Sequence, residues 1–222
     1  MTSLKYPLGL AVGLAAGVWA TSANAVPVPI FSTGVDDNSV PLSAGTLDTH
    51  YTQNGTGAFV VNNAFPLPAG GGPWQANTGN SQWIAPQADQ TVGSPPGTYT
   101  YRAVFDLSGI DPDSVVISGQ WAADNGAAIL LNGQPTNATI DDSSFTFTPF
   151  TIDSGYVPGL NAFTFVVNNV TDVTSPTGLQ VQLSGTGTPS LGPAPIPEPT
   201  SLALLGLGIA GLGLLRHRRY SV

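Results

Sequence analysis

Between residues 26 and 195 the chain alternates apolar and polar side chains in short runs, punctuated by glycine, proline, asparagine and aspartate. The clearest run covers residues 98–107. Tyr99, Tyr101, Ala103, Phe105 and Leu107 fall on one face, and Thr98, Thr100, Arg102, Val104 and Asp106 on the other. An extended chain points successive side chains to opposite sides, so this period of two predicts a half-buried antiparallel strand with one wet face. Residues 114–121 follow a turn at Gly109-Ile110-Asp111-Pro112-Asp113 and set Val115, Ile117, Gly119 and Trp121 on one side. Residues 127–131 are entered through Asp124-Asn125-Gly126 and left through Asn132-Gly133, residue types that accept the positive φ of tight turns. Residues 145–152 and 162–167 continue the pattern, with Phe163, Phe165 and Val167 inward. In the last strand Leu179, Val181 and Leu183 alternate with Gln180, Gln182 and Ser184, while residues 58–61 and 82–85 are weaker runs. No amphipathic helix of useful length interrupts them. Short strands at this spacing predict an all-β fold over residues 26–185, an antiparallel β-sandwich that is jelly-roll-like.

Both ends of the chain break the alternation. Residues 1–25 combine a charged start at Lys5, an apolar stretch over 8–20 and small residues at Ala23 and Ala25, the layout of a signal peptide cut after Ala25 by signal peptidase. At the other end a Gly/Pro linker, residues 186–195, leads into residues 196–222. Prolines at 193, 195, 197 and 199 keep that approach extended. An apolar run over 202–215 follows, and then Arg216, His217, Arg218 and Arg219. A helix over residues 200–215 rises about 24 Å, slightly short of a hydrocarbon core of about 30 Å. Glycines 206, 208, 211 and 213 are tolerated in such a transmembrane helix, and the arginines after it favour a cytoplasmic C-terminus. A glycolipid-anchor signal would lack the basic cluster, and no L-P-x-T-G motif is present. An uncut single-span anchor is the plain alternative.

Charge narrows the chemistry further. Residues 26–195 hold twelve aspartates, one arginine (Arg102), one histidine (His50) and neither lysine nor glutamate, a net charge of −11. Phosphate backbones need a basic surface, so nucleic acid is excluded as a partner. Without cysteine there is no disulfide, and about 170 residues can bury enough apolar surface to do without one. One histidine and no thiolate fall short of a zinc ligand set, and a phosphate-binding loop has no lysine to use. A catalytic triad could recruit only His50, and no G-x-S-x-G elbow occurs, so the expectation is a protein that is not an enzyme.

Pro197, Glu198 and Pro199, the apolar segment and the basic stop at Arg216, Arg218 and Arg219 resemble the PEP-CTERM sorting signal of Gram-negative bacteria. The resemblance implies an exported protein, processed near Pro197–Pro199 by an exosortase (a membrane-embedded cysteine transpeptidase) in a bacterium that makes exopolysaccharide. It implies a place in the cell envelope, at the cell surface or in the extracellular matrix, with transient inner-membrane anchoring by the C-terminal helix. Residues 99–109, 119–125 and 131–133 are similar to a recurrent extracellular domain of PEP-CTERM proteins and to the galactose-binding-like jelly roll. A structural or adhesive role follows from this, with carbohydrate binding as the alternative.

For carbohydrate binding the candidate residues are Trp74, Trp121, Asp124 and Asn125. An indole face stacks on the apolar face of a pyranose while Asp or Asn binds its hydroxyls. Trp74, in a G-G-G-P-W loop, is the better exposed candidate. Trp121 also continues the inward row of Val115 and Ile117, which makes it a core residue on the competing reading. No cofactor is expected. Asp36-Asp37-Asn38 and Asp141-Asp142 are oxygen-rich enough for Ca²⁺, but neither has the spacing of a calcium loop, so solvated turn aspartates are the simpler account. Asp48 and His50 read as a surface hydrogen-bonded pair, and Arg102 as a partner for Asp106.

Overall fold

The computed structural model describes residues 24–61, 74–141, 145–170, 172–190 and 206–209. Eleven strands run through them: β1 (Val26–Pro27), β2 (Leu47–Gln53), β3 (Thr56–Val60), β4 (Ile84–Ala85), β5 (Gly97–Asp106), β6 (Val116–Asp124), β7 (Ala127–Leu131), β8 (Gln134–Ile140), β9 (Thr148–Ile152), β10 (Leu160–Asn169) and β11 (Gly178–Gly187). The hydrogen-bonded order is β8-β7-β10-β5-β2-β3-β4-β11-β6-β9, with β1 also on β11, and every pairing is antiparallel. The sheet folds over through β2 and β3 into two facing layers. Trp121 on β6 meets Phe165 on β10 across the interior at a ring-centroid distance of 5.8 Å. The chain crosses between layers at β5–β6, β6–β7, β8–β9, β9–β10 and β10–β11, the winding of a jelly-roll-like antiparallel sandwich.

Local chemistry explains the elements. Along β5 the buried positions are Tyr101, Ala103 and Phe105, and the exposed ones Arg102, Val104 and Asp106, as period-two alternation requires. Ten residues of β10 pair with β5 in unbroken register, and Phe163, Phe165 and Val167 join the core from the partner side. The β2–β3 hairpin turns at Asn54 and Gly55 (φ 46° and 78°), and the β7–β8 hairpin at Asn132 and Gly133 (φ 52° and 80°). Positive φ at both central positions gives a turn whose twist matches the strands it joins.

Three expectations change. β2 and β8 are full strands that alternation did not reveal, and β9 begins at Thr148 rather than at 145. β11 continues to Gly187, and residues 188–190 are bonded back to the 109–111 turn (Asp111 N–H to Thr188 O, Ile110 bridging Pro189, Ser190 N–H to Gly109 O), where the sequence predicted a linker. Asp106 is engaged by its own turn, accepting from Ser108 N–H and Oγ–H at 2.8 and 2.7 Å, and does not pair with Arg102. Among the described residues no helix is long and apolar enough to cross a membrane. Residues 206–209 are helical. Ala23, the sorting motif and the basic stop lie outside the described residues, whereas Ala25 is exposed just before β1.

One feature orients the molecule. Val26 pairs with Gly187, so the first and last strands begin and end at the same end of the sandwich. The loops around 91–96, 124–126 and 168–177 sit at the other end, where Asn169 faces Gly97 and Gly178 faces Asp124.

Candidate functional site

The outer surface of the layer β4-β11-β6-β9 carries two neighbouring features, a cap and a cleft. The cap comes from residues 74–83. Alternation along β6 and β11 would leave Ala122 and Gln180 in solvent; both are fully buried beneath this segment. Trp74 and Trp83 stack with centroids 4.1 Å apart and 21° between planes, and with Val61, Ala85 and Ala122 they form a second apolar cluster outside the main core. Gln180 ties the cap down: its Nε2 donates to Ser81 O at 3.0 Å, and its Oε1 accepts from Gln75 Nε2 at 3.0 Å. Trp83 Nε1 donates to Gln75 O, and Asn77 Oδ1 accepts from Trp83 N–H. Gly178 makes room for the Trp74 ring, because a Cβ there would stand 2.8 Å from Cη2.

This arrangement corrects the placement of Trp74. It is 1% exposed, and its Nε1 donates to Asp124 Oδ2 at 2.7 Å. The G-G-G-P-W sequence reads as an open loop, but the small residues Ala122 and Gly178 beneath it provide a seat that only the tertiary structure creates. Trp121 is also fully buried, on the opposite face of β6, in edge contact with Phe150. Neither indole face is available to a sugar. Of the four candidates the fold brings Trp74 and Asp124 together and sends Trp121 into the main core. Asn125 is half-buried, and its Oδ1 accepts from Val170 N–H at 3.3 Å. Burial pushes the Asp124 carboxyl up to about 6, against the opposing effect of the Trp74 hydrogen bond.

The His50 region is likewise more interior than its sequence suggests. Asp48 is 2% exposed and accepts from Gly34 N–H (2.7 Å) and His50 N–H (2.8 Å). Desolvation raises its pKa, opposed by these donors. His50 stacks on Phe31 at 3.9 Å and reaches the exposed Asp37 through Nε2 at 2.9 Å. Asp36 accepts from Val40 and Asn38 N–H groups, which lower its pKa, so its carboxylate closes a turn. Among the described residues no cluster of three His, Asp or Glu side chains could hold a metal ion. Asp142 lies outside them.

The cleft adjoins the cap. Cross-strand rows on the exposed face of β11, β6 and β9 read Gln182–Gln120–Pro149 and Ser184–Ser118–Thr151. Ser39 and Asn80 also line this open cleft, whose volume is about 490 Å³. Gln120 Nε2 donates to Gln182 Oε1 at 3.3 Å. Sequence reading saw Gln182 and Ser184 only as the wet side of a strand. The signal that could have set them apart is the matching Ser118-Gly119-Gln120 on the neighbouring strand.

No curated relative matches the chain. Solved structures with some likeness include a carbohydrate-binding module of family 29 (12% identity, 75% of this chain and 91% of that one, TM-score 0.37). Two others are the CBM36-1 domain of a multidomain xylanase from the hindgut metagenome of Trinervitermes trinervoides (10%, 76% and 100%, TM-score 0.29) and a family 35 carbohydrate-binding module from an environmental isolate (12%, 75% and 94%, TM-score 0.26). At such scores these likenesses assign no ligand. The C-terminus is different: residues 195–219 match the PEP-CTERM protein-sorting motif, and the chain is thereby an exported envelope or surface protein sorted by an exosortase.

Proposed function

We propose that this protein serves a structural or adhesive role in the envelope or exopolysaccharide, as a β-sandwich delivered by its C-terminal sorting signal and without catalytic function. The observation that carries this reading is the sorting motif over residues 195–219. Signal peptidase would cut after Ala25, and the apolar helix over 200–215 would hold the chain in the inner membrane until the exosortase acts near Pro197–Pro199. The layout of the sandwich supports this. Both terminal strands leave from one end, and the seven peptide links from Ser190 to Pro197 reach at most about 25 Å. The folded domain is therefore held close to the bilayer with its Val26–Gly187 end inward and the loops at 91–96 and 168–177 outward.

Replacing Glu198 or Pro199 by alanine is expected to leave export intact while an unprocessed, membrane-bound form accumulates, as read by cell fractionation and intact mass. Normal processing in both variants would count against the sorting role. Changing Arg216, Arg218 and Arg219 together to serine is expected to weaken retention before processing; unaltered fractionation of that variant would refute the stop function. A second reading, recognition of exopolysaccharide, is favoured by the amide- and hydroxyl-lined cleft rather than by Trp74 and Trp121, which are interior.

A further inference from the structure

We infer that the cleft on the outer face of β11, β6 and β9 is a binding site for an uncharged, hydroxyl-rich polysaccharide segment; this rests on the second reading above and supplies its site and ligand class. Four observations converge. The lining mixes amides and hydroxyls with the apolar surface of Pro149 and Leu183, and among the described residues it contains no charged side chain, although the domain carries twelve aspartates.

The floor also offers matched hydrogen-bonding groups. The Gln120–Gln182 bond uses one NH₂ and one carbonyl of two residues that line the cleft, and it leaves one carbonyl and one NH₂ outside that bond whichever way the two amides are oriented. A carbonyl beside an NH₂ is complementary to adjacent hydroxyls, each of which donates and accepts. The Ser118 and Ser184 hydroxyls form a parallel row about 6.8 Å further along the strands, a separation set by the two-residue repeat. Neither has a hydrogen-bond partner among the described residues.

The platform is rigid. Gln120 and Gln182 stand on long strands paired in continuous register, and the floor between them is held close because a Cβ on Gly119 would stand 2.1 Å from Gln182 O. Side chains fixed in this way lose less entropy on binding than loop residues would. The cap then supplies a wall at Asn80, and the 32–39 segment a second at Ser39. A volume of about 490 Å³ lies within the range of sites for small ligands or for a short stretch of a chain. Charge decides between polymer classes: a net charge of −11 repels uronate- or sulfate-bearing chains and leaves neutral ones unaffected.

The test is affinity electrophoresis and calorimetry on the mature protein purified from expressing cells, with dextran, β-glucan and xylan as neutral probes and alginate as the anionic one. Binding to at least one neutral polymer is expected, with none to alginate at physiological salt. Gln120→Ala with Gln182→Ala should weaken that binding about tenfold or more, since each lost hydrogen bond contributes roughly 1 kcal/mol. Gln182→Glu, which keeps the shape but removes the NH₂ donor, should weaken it as well. Thermal unfolding of the variants should match the parent; if the double variant is unstable, Gln182→Glu alone decides. No binding to any of the three neutral polymers, stronger binding to alginate, or undiminished binding in a folded variant would each overturn the assignment. Processing and fractionation should be unchanged in all these variants, so failure here is separable from failure of the sorting role.

Discussion

Trp74→Ala is expected to lower the unfolding free energy by about 3–5 kcal/mol, the range for removing a large buried aromatic side chain. Two losses combine. The indole packs against Trp83 at 4.1 Å and fills the seat over Gly178, so truncation leaves a void in a small cluster with little else to collapse into it. The same change removes the donor to Asp124 Oδ2, leaving a mostly buried carboxylate without that hydrogen bond. Urea denaturation measures the total, and Trp74→Phe separates the parts because it keeps a ring while deleting Nε1–H. The phenylalanine variant should therefore lose less than the alanine variant. A loss below about 1 kcal/mol for Trp74→Ala would show that the cap does not depend on the indole. Loss of sugar binding in that variant would be uninformative unless the protein were shown to be folded.

The second large effect concerns pH. Asp124 has a folded-state pKa of about 6, raised by burial from 3.8. The folded protein therefore takes up this proton before the unfolded chain does. Stability should rise as pH falls from about 7 towards 4, by up to about 3 kcal/mol from this group. Burial raises Asp48 as well, which adds in the same direction. Asp36 and Asp106, whose pKa values are lowered by their turn hydrogen bonds, act oppositely: what they contribute disappears as pH drops below about 4. Maximum stability is thus expected at mildly acid pH, between about 4 and 6. Asp124→Asn retains an oxygen that can accept from Trp74 Nε1 and carries no charge. It should flatten the profile and be more stable than the parent at pH 7.5. An unchanged slope in thermal melts between pH 5 and 7.5 would remove Asp124 as its source.

How far the sequence disclosed this molecule depended on which faces were covered. β5, β10 and β11 showed themselves because one face meets the core and alternation is the direct imprint of that asymmetry. β2 carries only Leu47 and Tyr51 as large apolar residues, and its register shifts between Asp48 and Thr52, so no clean period survives. Among the described residues β8 pairs only with β7, so Pro135 costs little there, and its one large aliphatic residue, Ile140, is buried. The cap was hidden for a deeper reason. It buries the face of β6 and β11 that alternation assigns to water, and nothing in the local pattern of residues 74–83 says which surface they will cover. The cleft beside it escaped notice because glutamine and serine on an exposed strand look ordinary until two strands bring them side by side.

β11 is the last strand to be made, yet it lies between β4 and β6 in the middle of its layer. Until it arrives, both neighbours keep bare edges, the kind of surface on which chains stick to one another or attract proteases. A polypeptide cut short before Gly178 lacks its keystone and, because the motif follows only a few residues later, its destination tag too. Truncation there removes a central strand of the sheet and the sorting motif in a single event.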